Sequence, residues 1–218
     1  MIALWAEQIR PLWREIHPLQ DRMNEELKGL TDKLRSELPK FLGEEDAGAL
    51  LTTISSAGEL DSLGPLVGLS KLSRAELNRE QYLQRYGHRG PYENELAEPR
   101  TYEDPDALDE QLAEFNESPV DVAELLARRD AEATAMWGEI KRDLPAKKTR
   151  EREGAIEATR EANTLREATR SELTRLVGVI RALFLRAGEL ARLGDGVFFL
   201  EVDEVVAVLS GDRLPAAG

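Results

Sequence analysis

The stretch Ser171-Glu172-Leu173-Thr174-Arg175-Leu176-Val177-Gly178-Val179-Ile180-Arg181-Ala182-Leu183-Phe184-Leu185-Arg186-Ala187-Gly188-Glu189-Leu190 decides the fold. Leu173, Leu176, Val177, Ile180, Leu183, Phe184, Ala187 and Leu190 follow one another at spacings of three and one. That rhythm lays a wide apolar stripe along one side of an α-helix. No proline interrupts the chain from Lys147 to Leu193. At 1.5 Å per residue, a helix over that span is on the order of 65–70 Å long. Such a helix outruns one small core, so it must span a large helical body or reach another domain.

Working outward, the N-terminal segment has the same period. Trp5, Ile9, Leu12, Trp13 and Ile16 share a face, and so do Leu19, Met23, Leu27, Leu30, Leu34 and Leu38. Pro18 predicts a kink or break between the two runs, and Pro39 with Gly43 ends the second. Trp5, Trp13 and Trp137 are expected as core or interface anchors. Residues 43–73 look looser, with a turn-rich connector over Gly58–Gly68. Ser73-Arg74-Ala75-Glu76 reads as a capping box that starts a helix carrying Leu77, Tyr82, Leu83 and Tyr86. Gly87 is placed for a left-handed stop. Asp104-Pro105 and Ser118-Pro119 each offer an N-cap followed by a first-turn proline. Val197-Phe198-Phe199-Leu200 suggests a brief extended segment, and a short helix over Val202–Leu209, ended by Gly211 and Pro215, closes the chain.

The expected fold is therefore all-α: an elongated multi-helix bundle with one very long C-terminal helix and at most a short extended segment near 197–200. A single helical domain over 1–218 would hold N-terminal helices in 1–42, a connector in 43–73, short helices and an acidic loop in 74–144, and the long helix with its closing segment in 147–211.

The 218 residues carry a formal charge of −13, which argues against a nucleic-acid footprint. Most of that charge lies in residues 90–124, where Arg100 is the only base among the acids; a well-hydrated acidic face is the simplest reading, and a surface for a basic partner the sharper one. The absence of cysteine removes disulfides and thiolate chemistry. His17 and His88 alone cannot make a His-rich metal site, and His17, beside Pro18, reads as a surface or interface residue. No apolar run approaches a membrane span. The apolar start Met1–Ala6 is too short, and lacks a preceding basic segment, to be a signal peptide. Cytoplasmic residence is the expectation. Glycine-rich phosphate loops, a G-x-S-x-G elbow and H-E-x-x-H are all missing.

One segment stands apart: Tyr86-Gly87-His88-Arg89-Gly90-Pro91-Tyr92-Glu93, continuing to Glu98-Pro99-Arg100. Glycines let a backbone turn sharply and approach a partner. The Arg89 fork suits carboxylate or phosphate, and His88 can donate or accept near neutral pH. The plain alternative is that His88 and Arg89 tie the loop to the bundle, Arg89 pairing with a nearby acid. A second feature is the arginine series Arg160, Arg166, Arg170, Arg175, Arg181, Arg186 and Arg192. Arg170, Arg181 and Arg192 are spaced to share a face. They form either a solvated stripe partnered by Glu167, Glu172 and Glu189, or, at Arg166 and Arg170, an anionic groove where the bundle meets a ligand.

The string from Tyr86 to Glu93 with Glu98-Pro99-Arg100 resembles a segment of phosphoenolpyruvate-utilising enzymes, especially rifampin phosphotransferases and phosphoenolpyruvate synthase-like proteins. Leu165-Arg166-Glu167-Ala168-Thr169-Arg170-Ser171-Glu172, Leu185–Leu190, Gly194–Leu200 and Asp203-Glu204-Val205 resemble the same group, so the likeness runs from about residue 50 to the end. It implies the helical middle domain of a three-part enzyme, the part that binds the acceptor. An ATP-grasp-like domain and a swivelling phosphohistidine domain of the same enzyme would be its partners, and neither His17 nor His88 has the carrier's surroundings. The implied cofactors, ATP and magnesium, belong to the parent enzyme and none to this chain. With the chain's length and Met1, the resemblance suggests a truncated product, a split-gene piece or an excised part. Glu201 stands where the related pattern often has Ser or Thr, which predicts a weaker cap for the last helix.

The functional expectation is an acceptor-binding domain of an ATP-dependent dikinase-type phosphotransferase, not catalytic alone, taking a large organic acceptor. His88, Arg89, Arg100, Arg166 and Arg170 would serve substrate binding or domain docking. A helical protein-interaction module without a small-molecule site is the alternative. A deep apolar concavity opening beside His88 would favour the first, and a solid bundle with an exposed apolar groove the second.

Overall fold

A computed structural model of the chain describes residues 1–56, 63–104, 106–142 and 144–211, and among them there is no β-strand. The order of α-helices is α1 (Ile2–Leu4), α2 (Arg10–Glu37), α3 (Pro39–Leu42), α4 (Glu44–Ser56), α5 (Gly64–Ser73), α6 (Arg79–Tyr86), α7 (Ala107–Glu117), α8 (Val122–Ile140), α9 (Ala146–Ala191) and α10 (Val202–Leu209). A π turn, Trp5–Ile9, joins α1 to α2, and a 3₁₀ helix, Gly194–Phe199, precedes α10.

The long helix α9 has 46 residues. Helix α2 runs antiparallel beside it. Ile9 packs with Leu176, Ile180, Phe184 and Ala187 near one end, and Leu34 and Leu38 pack with Ile156 near the other. Each end is completed by local helices. Ala47, Leu50 and Leu51 of α4 close the Leu34–Ile156 cluster. Val197 and Val205 close the other, with Trp5, Trp13 and Phe198 packed around them. A third cluster, Leu69, Tyr82, Leu108 and Phe115, knots α5, α6 and α7 together. The described residues between α6 and α7, 87–104 and 106, form a loop that meets α9.

Several local expectations are corrected. Pro18 does not break the helix: α2 passes through it. Pro18 lies exposed, so the carbonyl of Arg14 that loses its donor can be hydrated. The connector of 43–73 contains α4 and α5, and Gly64 to Gly68 are helical; Gly58 lies outside the described residues. Ser73 ends α5 rather than starting α6. Ala75 takes a left-handed φ of 57°, and Asn78 with Gln81 makes the capping box of α6. The same chemistry operates one step later, because Ser73 Oγ is occupied as donor to Asn116 Oδ1 at 2.7 Å. Gly87 has φ −62°, an ordinary right-handed value. Its small size serves close approach instead: a Cβ there would meet the Leu83 carbonyl oxygen at 2.5 Å. Helix α8 is capped by Asp121, which accepts from the Glu124 N–H at 3.0 Å, and not by Ser118. Helix α7 begins after Asp106. Of the device proposed there, Asp104 accepts from the Asp106 N–H at 3.0 Å, while Pro105 lies outside the described residues, as does Pro215.

The segment 197–200 is not extended. A lone short strand has no ladder to satisfy its amides, and the 3₁₀ turn bonds them locally, with the Leu200 N–H on the Val197 carbonyl at 3.2 Å. This turn follows Arg192, left-handed at φ 60°, and buries Val197. Glu201 does not leave α10 uncapped, because its N–H donates to Glu204 Oε2 at 2.8 Å.

Candidate functional site

The loop 87–104 lies on α9 through directional polar contacts, and Glu93 is their centre. It is only 5% exposed. Its Oε1 accepts from Arg170 Nε at 3.0 Å and lies 2.8 Å from Arg170 Nη2. Its Oε2 lies 3.1 Å from Arg89 Nε and accepts from the Gly90 N–H at 3.4 Å. One carboxylate thus joins a guanidinium from its own loop to a guanidinium from the long helix. Buried charge persists only where it is paired and hydrogen-bonded in this way. Arg89 and Glu93 stand four residues apart, and Glu93 is the acid of the Tyr86–Glu93 string.

Beside this pair, His88 Nε2 lies 2.9 Å from Ser171 Oγ. The ring is buried, and its Nδ1 has no hydrogen-bond partner. Burial, with Arg175 and Arg89 nearby, pulls the His88 pKa down to about 4, so the imidazole is neutral at pH 7. Arg100, also buried, donates to the carbonyls of Tyr92 at 3.2 Å and Glu95 at 3.2 Å. Burial lowers its pKa from the ordinary arginine value. Arg100 therefore shapes the loop from within. Further along α9, Arg181 donates to Glu103 at 2.8 Å and to the Leu96 carbonyl at 2.6 Å. Its guanidinium also lies 5.1 Å from the centre of the Phe198 ring, a cation–π contact.

The structure brings His88, Arg89 and Arg170 together. Arg100 lies behind them as a support of the loop. Arg166, one turn earlier on α9, pairs with Glu167 and donates to Asn163 Oδ1 at 3.2 Å, so it addresses α9 itself. Arg170 and Arg181 do share a face, and that face meets the loop. The solvated-stripe reading holds for Arg175 with Glu172 and for Arg186 with Glu189. It fails for Arg170 and Arg181, whose partners are Glu93 and Glu103. The acidic block is accordingly not all a hydrated face: these two acids are internal counter-charges. Sequence reasoning missed Glu93, Glu103 and Ser171. The spacing of Arg89 to Glu93 signalled the first, whereas nothing local distinguishes Glu103 from its acidic neighbours.

Two concavities border the loop. One, of about 420 Å³, is lined by Pro65, Tyr82, Arg89, Gln111, Glu93 and Arg170. The other, of about 160 Å³, lies between Arg89, Arg100, Glu98, Asp104 and Gln111. Tyr82 forms a floor of the larger one; burial pushes its hydroxyl up to about 12. Both are open and shallow, with charged side chains set among Pro65, Pro91, Tyr82 and Tyr92, and neither is the deep apolar cavity expected beside a site for a large organic molecule. Among the described residues no group of three or more His, Asp or Glu side chains could hold a metal ion.

An all-helical domain, with a charge-paired loop docked on one long helix, is the class this fold and site define; it is a helical domain of the kind found in phosphoenolpyruvate-utilising enzymes. A family model described as the rifampicin phosphotransferase fourth domain matches residues 17–167, and the chain belongs to that family. No curated protein matches the chain. The match covers most of α2, the loop and the first half of α9. It reaches further toward the N-terminus than the resemblance drawn from residue 50, and stops before the stretch that follows Glu167. A fourth domain also implies more parts than the three-part division expected.

Proposed function

We propose that this chain is the acceptor-side helical domain of an ATP-dependent, dikinase-type phosphotransferase, contributing a binding surface and no phosphoryl chemistry of its own. The family match over residues 17–167 carries the reading. The ATP-grasp-like and swivelling phosphohistidine domains would supply nucleotide, magnesium and carrier, and residence would be cytoplasmic. The loop at 86–93 is the face that meets the acceptor or the docked carrier, with Arg89 and Arg170 at its centre. The burial of His88 supports its exclusion as a carrier, since a phosphoryl group must reach an exposed ring nitrogen and both nitrogens here are covered. Among the described residues no helix is long and apolar enough to cross a membrane.

The test is titration of the chain, and of Arg89→Ala and Arg170→Ala variants, with rifampicin and with separately expressed partner domains. Saturable binding of either, weakened by the variants, is the expected result. Undiminished binding in both variants removes the assignment of the loop. Incorporation of phosphate at His17 or His88 on incubation with ATP and magnesium alone removes the larger reading.

A second reading is favoured by one observation. Phe199 is 91% exposed, and Leu190 at the end of α9 and Leu193 just after it are exposed too. Bare apolar side chains of this size fit a protein-interaction module. Retained partner docking in Arg89→Ala with loss in Phe199→Ser would favour it.

A further inference from the structure

The larger concavity beside the loop carries an uneven distribution of donors and acceptors. Arg89 and Arg170 both line it, and Glu93 is the acid between them. Glu93 takes the Nε of each guanidinium and also Nη2 of Arg170. The Nη1 of Arg89 has no hydrogen-bond partner, although the residue is only 8% exposed. A buried donor of a charged group left unmade is costly, and native folds supply an acceptor for it. Gln111 cannot serve, because its carbonyl oxygen faces the Tyr82 hydroxyl at 3.5 Å and its amide donates to Thr101. His88 Nε2 faces Ser171, and its Nδ1 has no hydrogen-bond partner either, so it does not take up this donor.

The charges of the lining leave one positive charge uncancelled, two guanidiniums against one carboxylate, on a chain whose total is −13. Guanidiniums held in place by a buried carboxylate are preorganised, since their rotamer freedom is already lost before a ligand arrives. Arg170 remains 40% exposed in its side chain, so the site opens to solvent.

We infer that this concavity binds the oxyanion group, carboxylate or phosphoryl, of a small ligand, held between the guanidiniums of Arg89 and Arg170 with Glu93 as their spacer. The inference deepens the reading above by naming the chemistry received at the same loop, and its test uses anions alone.

The experiment follows the arginine Nε–H resonances of the intact chain by NMR during titration with sodium phosphate and, separately, sodium acetate. Ionic strength is held constant with chloride, which serves as the reference. Saturable shifts at Arg89 and Arg170 with phosphate, acetate or both are expected, and the anion that saturates identifies the ligand group. Arg170→Gln should weaken binding at least tenfold. Arg170→Lys keeps a charge partner for Glu93 and so preserves the loop, but it loses the fork and should weaken binding severalfold. Arg128→Gln, on an exposed pair elsewhere, should leave affinity unchanged. Shifts no different from chloride, or equal affinity in wild type and both Arg170 variants, overturn the inference. Saturable anion binding alongside failure of both the rifampicin and the partner-domain titrations removes the reading above and leaves the anion site. The opposite pair of results removes the anion site alone.

Discussion

The two ends of the α2–α9 pair differ from its middle. At the ends, Leu34, Leu38 and Ile156, and Ile9, Ile180 and Phe184, are buried aliphatic and aromatic side chains. Between them α9 buries Thr159, Asn163, Glu167, Ser171 and Thr174. Glu167 is only 2% exposed. The apolar ends hold the helices together by non-directional burial that tolerates small shifts. The polar middle cannot do this, because each group must face a partner at hydrogen-bond distance. Thr159 and Thr174 bond to carbonyls of α9 itself, while Ser171 faces His88 of the loop, which docks beside this stretch with Arg89 and Glu93. Affinity between helices and precision at the site are thus assigned to different stretches of one helix.

Substitutions can separate the two. Phe184→Ala at the apolar end should cost about 3–5 kcal/mol, through lost burial and the cavity left behind. Chemical unfolding would show a lower midpoint for the entire chain. Glu93→Gln should cost about 3 kcal/mol, because it leaves Arg89 buried without its carboxylate. Its signature is regional: hydrogen exchange should quicken in 87–104 while amides around Leu34 and Ile156 keep their protection. Uniform loss of protection in Glu93→Gln would erase the distinction between ends and middle.

The polar middle also predicts a pH dependence that the ends lack. His88 titrates near 4 in the folded chain and near 6.5 unfolded. Between those values the unfolded chain binds the extra proton, so stability falls as pH drops from about 6.5 to 4 and levels off below. The loss is up to about 3 kcal/mol on this difference in pKa. Carboxylates titrate in the same range, so the measurement is the difference between wild type and His88→Gln in unfolding free energy against pH. Equal slopes in the two proteins would show that His88 keeps its ordinary pKa in the fold. The smallest effect lies far from the pair: Asn78→Ala should cost about 1 kcal/mol through the lost cap of α6, read as a small drop in melting temperature. Because α6 delivers Tyr86 and Gly87 to the loop, anion affinity should fall less than twofold.

The stripe Leu173–Leu190 was legible because an apolar period of 3.6 has one physical solution, and α9 at Ala146–Ala191 agrees with the expected 147–193 within two residues. Caps were less legible. Ser73-x-x-Glu76 and Asn78-x-x-Gln81 are equally good boxes by pattern, and the choice fell to Ser73's distant partner Asn116. Pro18 misled because a proline's effect depends on whether solvent can reach the carbonyl it frees.

By itself the sequence determined that the chain is helical, where its longest helix runs, and which loop bears unusual chemistry, since period, proline placement and glycine content act over a few residues. Tertiary structure alone decided that Glu93 lies between Arg89 and Arg170, that Arg181 reaches Glu103, and that His88 is buried against Ser171. Those partners are 77 to 83 residues apart across the loop and α9. One acid among many in an acidic segment becomes a buried counter-ion only when packing brings a particular arginine to it.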